Sequence, residues 1–257
     1  MIAALGICTY NRPEFFEKCA KSVAKHLDVP VFVYNDGSDP KHQGAYKRGY
    51  RALPDAHIVH ADENHGVAYA KNQLLLAMLA SGADWLILCE DDIKVRSNGA
   101  VEGYVQACEE TGLHHLSFAH HGPANADGAV DTTDLLAFYT HSVGAYCIYS
   151  RESLEACGIF DESLHNAWEH VELTLRLAEN GYTSGAYRFA DARWSNIWLQ
   201  ELPNSIERSS IRPRPDWHAN IVNGLRHWHD TKPSTYETMF GPGTPLHDYA
   251  ERTLAAM

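Results

Sequence analysis

Trp85-Leu86-Ile87-Leu88-Cys89 is an uninterrupted apolar run that ends on three adjacent acids, Glu90-Asp91-Asp92. A strand that is apolar on both faces has to be buried on both, as in a parallel sheet covered by helices. Acids at its end then sit at the rim of that sheet. Residues 2–8, 31–34 and, more weakly, 57–60 are further strand candidates. Helical patterns separate them. Residues 12–26 place Phe15, Phe16, Cys19, Ala20 and Val23 at helical spacing, with Pro13 in the first turn. Residues 66–81 form a second helical stretch, closed by Gly82. Strands alternating with helices predict βαβ units, whose ligands gather beyond the carboxyl ends of the strands. Asn11, Asp36, Asn64 and Asp92 each follow a strand candidate and are expected to converge on one edge.

The second half predicts a helix over 100–110, a strand over 116–119 and a loop over 120–131. Strands at 135–139 and 143–149 follow, then a short helix at 151–157. An amphipathic helix at 168–179 is stopped by Asn180-Gly181, and a last strand covers 183–189. Beyond 190 the pattern loosens. The expected division is 1–190 as one α/β domain, with 1–92 its nucleotide-binding half and 93–190 its acceptor half. Residues 191–257 are expected to be an appendage of loops and helices. A chain of 257 residues, 45% hydrophobic, buries a core without staples. Its six cysteines are scattered without a CxxC pair, as expected for reduced, buried thiols in the cytoplasm. No apolar run reaches the roughly 18 residues of a membrane span. Residues 1–8 are too short, and lack the basic flank, for a signal peptide. A net charge of −12 argues against a generic nucleic-acid coat.

The strand ends carry the chemistry. Glu90-Asp91-Asp92 repel one another unless a divalent cation neutralises them, and hard oxygen ligands suit Mg²⁺ or Mn²⁺; the alternative is a solvated acidic turn. Asp36, in Asn35-Asp36-Gly37-Ser38-Asp39, is either a nucleobase acceptor or part of an Asx turn. Asn64-His65-Gly66 opens a helix that carries Lys71 and Asn72, which makes it a diphosphate site or a simple cap. Neither a GxxxxGK[ST] loop nor a GxGxxG fingerprint is present.

Taken in order, these pieces resemble the inverting nucleotide-sugar glycosyltransferases of the GT-A fold, family-two type. Thr9-Tyr10-Asn11-Arg12-Pro13 is similar to their T-x-N-R turn, and Asn35–Asp39 to their D-D-G-S-x-D turn. Asn64–Asn72 is similar to N-x-G-x-x-x-A-R-N. Glu90-Asp91-Asp92 stands at the D-x-D motif. Gly158–Glu162 resembles G-x-F-D-E, and Glu169–Arg176 resembles E-D-x-[DE]-L-x-x-R. The resemblance covers roughly residues 1–190. It implies that Thr9, Tyr10, Arg12 and Asp36 hold the base of a nucleotide sugar, with a uridine nucleotide the expected donor. Asn64, Lys71 and Asp91 would lie at the ribose and diphosphate. Asp92, helped by Asp91 or Glu90, would bind Mn²⁺ or Mg²⁺.

Three departures stand out: Asn35 for an acid, Lys71 for arginine, and His170 where the family's catalytic aspartate would be. The base that deprotonates a hydroxyl acceptor is therefore sought among His170, Glu169 and Glu172. The acceptor class stays open: glycan, protein, lipid precursor or modified nucleobase. His218, His227 and His229 are candidates for a further metal ligand, and Trp194 and Trp198 for a sugar platform; packing is the alternative for each. A non-catalytic nucleotide-sugar or carbohydrate-binding protein on the same fold, or a metal-dependent nucleotidyltransferase or hydrolase, would use the same strand-end groups.

Overall fold

A computed structural model describes residues 2–255. The strands are β1 Ala3–Thr9, β2 Val31–Asn35, β3 His57–His60, β4 Trp85–Glu90, β5 Ile93–Val95, β6 His115–Ser117, β7 Asp131–Thr132, β8 Leu136–Tyr139, β9 Tyr146–Ser150, β10 Phe189–Ala192 and β11 Leu199–Glu201. The α-helices are α1 Pro13–His26, α2 Gln43–Ala52, α3 Val67–Ala80, α4 Glu102–Thr111, α5 Arg151–Cys157, α6 Glu169–Glu179, α7 Ser195–Trp198, α8 Trp217–Thr231, α9 Pro233–Phe240 and α10 His247–Ala255.

The main sheet runs β3-β2-β1-β4-β9-β6. β3, β2, β1 and β4 are parallel, and β9 lies antiparallel to both β4 and β6. The expected α/β architecture with a mostly parallel sheet is borne out. β1 and β4 are buried along nearly their whole length because helices cover both faces. On one face Phe16, Cys19 and Val23 of α1 pack against Leu5, Ile7 and Ile87; on the other, Leu74, Leu75 and Met78 of α3 pack against Leu86 and Leu88. The chain leaves β1 toward β2 and β3, then returns past β1 to β4. A crevice therefore opens beyond the carboxyl ends of β1 and β4, where such folds collect their ligands.

Two features depart from the pattern read in the sequence. Residues 183–188 form no strand; Tyr187 has a φ of 59°, which interrupts an extended segment. The strand begins at Phe189 instead and pairs with β8. It is followed by β11, which pairs with β5 directly after Asp92. Residues 189–201 are thus built into the α/β body, and the helices that follow are α8, α9 and α10. Those three pack around Trp228, Leu225, Tyr236 and Phe240, joined to Val171, Leu175 and Phe189 of the body.

Candidate active site

Thr9 ends β1, and its hydroxyl donates to Asp91 Oδ2 at 2.6 Å. Arg12, on the turn into α1, forks across the acids. Nη1 donates to Asp92 Oδ2 at 2.9 Å, and Nη2 donates to Asp91 Oδ1. Asp91 and Asp92 are 1% and 2% exposed, so this pairing offsets a large desolvation cost. Burial, together with the Asp92 charge, pushes the Asp91 carboxyl up to about 7 in spite of Arg12. Burial also acts upward on Asp92, but His121 and Arg12 outweigh it and hold it at about 2. Asp92 is therefore a carboxylate at neutral pH.

Asp92 Oδ1 has no hydrogen-bond partner, and neither has His121 Nε2, which lies 3.3 Å away. A buried, ionised, unsatisfied carboxylate oxygen facing an imidazole nitrogen is a donor set that fits a divalent cation. His121 follows β6 at the same sheet edge. The histidines at 114–121 and 218–229 stand out in the sequence as clusters that could bind metal, but nothing in the sequence singles out His121, because its loop has no periodicity. The tail histidines are not at this place. His227 Nε2 pairs with Asp161 Oδ2 at 3.1 Å, His229 pairs with Asp230, and His218 is exposed on α8.

Asp36 caps the next loop. Its oxygens accept from Asn64 Nδ2 at 2.7 Å, His65 N at 3.0 Å and Gly66 N at 2.9 Å. Burial raises its pKa, and the two backbone donors act against that shift. Gly37 makes the turn possible: its φ is +69°, and a Cβ there would stand 2.1 Å from the Glu63 carbonyl carbon. Asp36 thus shapes the strand-end loops from within. Thr9, Tyr10, Asp36 and Asn64 line one crevice of about 60 Å³, to which Ser210 and Ile211 also contribute. Of the four residues expected to converge, Asp36 and Asn64 meet there, Asp92 lines the neighbouring cavity, and Asn11 is bonded to Ser38 and Asp39 instead. The segment that carries Ser210 and Ile211 is fixed at both sides, by Arg208 on Glu14 at 2.6 Å and by Arg214 on Asn64 Oδ1 at 2.9 Å.

A larger cavity of about 470 Å³ opens beside it, lined by Arg12, Asp92, His121, Glu169 and His170 among others. Glu169 and His170 begin α6. His170 Nδ1 lies 3.3 Å from Glu169 Oε1, and the same oxygen lies 3.3 Å from Lys71 Nζ. Lys71 also donates to Glu90 Oε1 at 2.9 Å and to the Gly144 carbonyl at 3.1 Å. Burial would favour a neutral amine, but Glu90 and Glu169 outweigh it and hold the Lys71 pKa well above its usual range. Burial likewise acts upward on Glu169, while Lys71 and His170 bring it down to about 2. Gly144 lies under the imidazole, where a Cβ would approach His170 Cγ to 2.8 Å.

Two sequence expectations are corrected by this packing. Lys71 is 1% exposed and lines neither cavity, so it holds Glu90 and Glu169 instead of reaching a diphosphate. Glu172 is fully buried against Arg176 and Lys232, each at 2.9 Å, and faces away from the cavity. Of the two tryptophans considered for a sugar platform, Trp198 packs on Gly99 and Gly103, whereas Trp194 is 52% exposed beside Arg193.

The C-terminal helices set the start of α6. Trp168, its N-cap, has a φ of 73°, a strained value for a bulky residue. Its ring stands edge-on to Phe240 with centroids 5.4 Å apart, and its Nε1 donates to the Ile221 carbonyl at 3.1 Å. These contacts hold the turn from which Glu169 and His170 project.

The sheet order, the crevice at the β1/β4 reversal and the acids beyond β4 define the GT-A glycosyltransferase fold. The chain superposes on mannosyltransferase PcManGT from Pyrobaculum calidifontis, solved with GDP-Man and Mn²⁺, with a TM-score of 0.64 at 16% identity, over 99% of this chain and 73% of that one. For residues 1–349 of S. aureus TarS the TM-score is 0.57 at 14% identity, over 99% and 79%. For GalNAc-T7, solved with UDP, GalNAc and Mn²⁺, it is 0.60 at 12% identity, over 98% and 53%. Residues 5–125 match the family described as Glycosyl transferase family 2, as the motifs implied. No curated protein matches the sequence. Among the described residues, no helix is long and apolar enough to cross a membrane.

Proposed function

We propose that this protein transfers a sugar from a nucleotide sugar, a uridine nucleotide being the first donor to test, to a hydroxyl acceptor with inversion at the anomeric carbon. The observation that carries this reading is the single cavity shared by Asp92 with Arg12 on one side and Glu169 with His170 on the other. One group of residues suits a departing diphosphate, the other an incoming hydroxyl. Asp92 would hold the divalent cation, whereas Glu90, the other acid expected there, is paired with Lys71 at 2.9 Å. Among the described residues no three His, Cys, Asp or Glu side chains form a metal cage by themselves. Diphosphate oxygens and water would supply the other ligands, as is usual for Mg²⁺ and Mn²⁺. The cation, when bound, supplies Lewis-acid stabilisation of the leaving group.

The rest is done by the chain itself. Glu169, kept ionised by Lys71, accepts from His170 Nδ1–H and fixes the tautomer. His170 Nε2 then takes the acceptor's proton as the acceptor oxygen bonds to the anomeric carbon and the sugar–phosphate bond breaks. Arg12 faces the charge that develops on the departing diphosphate. Thr9 and Tyr10 border the nucleoside, with Asp36 and Asn64 shaping its floor.

A thermal-shift panel of nucleotide sugars with Mn²⁺ tests the donor site. A ligand at 100 times its Kd adds about 2.7 kcal/mol of stability. A shift for one nucleotide class that is lost in Asp92→Asn supports the reading; no shift with any nucleotide sugar contradicts it.

A further inference from the structure

The reading above gives the cation one protein ligand, Asp92. A second is built into the fold. Asp92 Oδ1 and His121 Nε2 are buried atoms that face each other as an ion pair at 3.3 Å, without the geometry of a hydrogen bond. A divalent cation seated at this pair would give both atoms a direct partner. Two cis ligands of an octahedral ion, each about 2.1 Å from the metal, stand about 3 Å apart. The observed separation is close to that, with little movement required.

The loop that carries His121 is fastened at several points. Ala119 N donates to Asp191 Oδ2 at 3.0 Å, and Asn125 Nδ2 donates to the Ala119 carbonyl at 3.2 Å. Gly122 N donates to Glu201 Oε2 at 2.9 Å, and Glu201 Oε1 accepts from the Ser205 hydroxyl while lying 3.6 Å from His121 Nε2. Glu201 ends β11, and the next residue, Leu202, donates its N–H to the Asp92 carbonyl at 2.7 Å. One short strand therefore ties the backbone of Asp92 to the loop of His121. Such outer support is what holds first-coordination ligands in place.

We propose that His121 is the second protein ligand of the divalent cation, cis to Asp92, with Glu201 as a positioning residue for the histidine loop. An imidazole ligand favours a first-row transition ion over Mg²⁺, so Mn²⁺ is the preferred occupant. The proposal rests on the cation-assisted reading of this cleft. Its test uses Mn²⁺ alone, with no nucleotide, so it is independent of whether sugar transfer occurs.

The experiment is pulsed electron paramagnetic resonance of Mn²⁺ bound to the full chain. The parent protein should show the ¹⁴N coupling of a directly bound imidazole. His121→Asn, folded by near-ultraviolet circular dichroism, should lose that coupling, and its Mn²⁺ Kd should rise at least about tenfold. His218→Asn and His229→Asn should keep both. Coupling that persists in His121→Asn, bound Mn²⁺ without nitrogen coupling in the parent, or no Mn²⁺ binding at all would each overturn the assignment. Failure of the transfer reading would show differently, as bound Mn²⁺ with the coupling present but no sugar moved.

Discussion

Lys71 Nζ lies 3.3 Å from Glu169 Oε1, and neither side chain exposes more than a few per cent of its surface. A lysine one helix away thereby sets the charge state of the acid next to His170. Removing one partner of a buried pair leaves the other uncompensated. Lys71→Met should therefore destabilise the fold by about 3–5 kcal/mol, read as a lower urea midpoint at unchanged slope. A variant as stable as the parent, with only diphosphate affinity reduced, would return Lys71 to the substrate.

His170 and Glu169 separate by kinetics. His170→Asn should lower kcat by about 10²–10⁴-fold with donor Kd unchanged. Glu169→Gln should lower kcat less, because the imidazole remains. If Glu169→Gln loses more than His170→Asn, the carboxylate is the base.

Gly144→Ala places a Cβ 2.8 Å from His170 Cγ. The imidazole must shift. A fall in kcat with donor Kd unchanged is expected; equal kcat would show that the imidazole's position is not critical.

How much of this was legible in the sequence depended on the source of each signal. β1, β2, β4 and α3 were readable because burial on both sides leaves continuous apolar runs, and Thr9, Arg12, Asp36 and Asp92 could be placed by the strands they follow. α2 was not readable, because only Tyr46 and Gly49 of that helix are buried and the rest is polar. The partners of Lys71 were hidden because Glu90 and Glu169 are distant in sequence. His121 was hidden because its loop is fixed by tertiary hydrogen bonds and carries no repeat. Phe189–Ala192 was misplaced because Asp191 interrupts its apolar character, yet Asp191 is fully buried and accepts from Tyr104, Ser195 and Ala119.

Asp36→Ala removes the acceptor for three donors of the 64–66 loop. A loss of about 1–3 kcal/mol in stability is expected, with a parallel loss of nucleotide affinity because the crevice floor deforms. Undiminished stability with weakened binding would instead mark a direct base contact.

Stability should also fall in mild acid through His115. This imidazole is fully buried on β6, its Nδ1 bonded to the Ile148 carbonyl at 2.9 Å and its Nε2 to Thr174 Oγ1 at 2.9 Å. Burial, with a smaller contribution from the neighbouring His170, lowers its pKa from 6.5 to about 4. The unfolded chain therefore binds the extra proton first. The contribution is complete above pH 6.5 and is lost as pH falls toward 4, by about 3 kcal/mol. Asp191, raised by burial to about 7, acts with the opposite sign: its contribution is complete below about pH 4 and is lost as pH rises to 7. Denaturation midpoints from pH 4 to 7 in His115→Gln and Asp191→Asn separate the two. The first should lose the acid-side slope; retention of the full slope there would place the titration elsewhere.

Sugar transfer from a nucleotide sugar is decided by the phosphorus-containing product. The protein is incubated with the nucleotide sugar that binds most tightly, Mn²⁺ and a panel of hydroxyl acceptors, and the nucleotide released is identified by mass spectrometry. The expected product is a nucleoside diphosphate, formed in step with a glycosylated acceptor and lost in Asp92→Asn and His170→Asn. A nucleoside monophosphate with a sugar phosphate, or release that is equal in both variants, would contradict it.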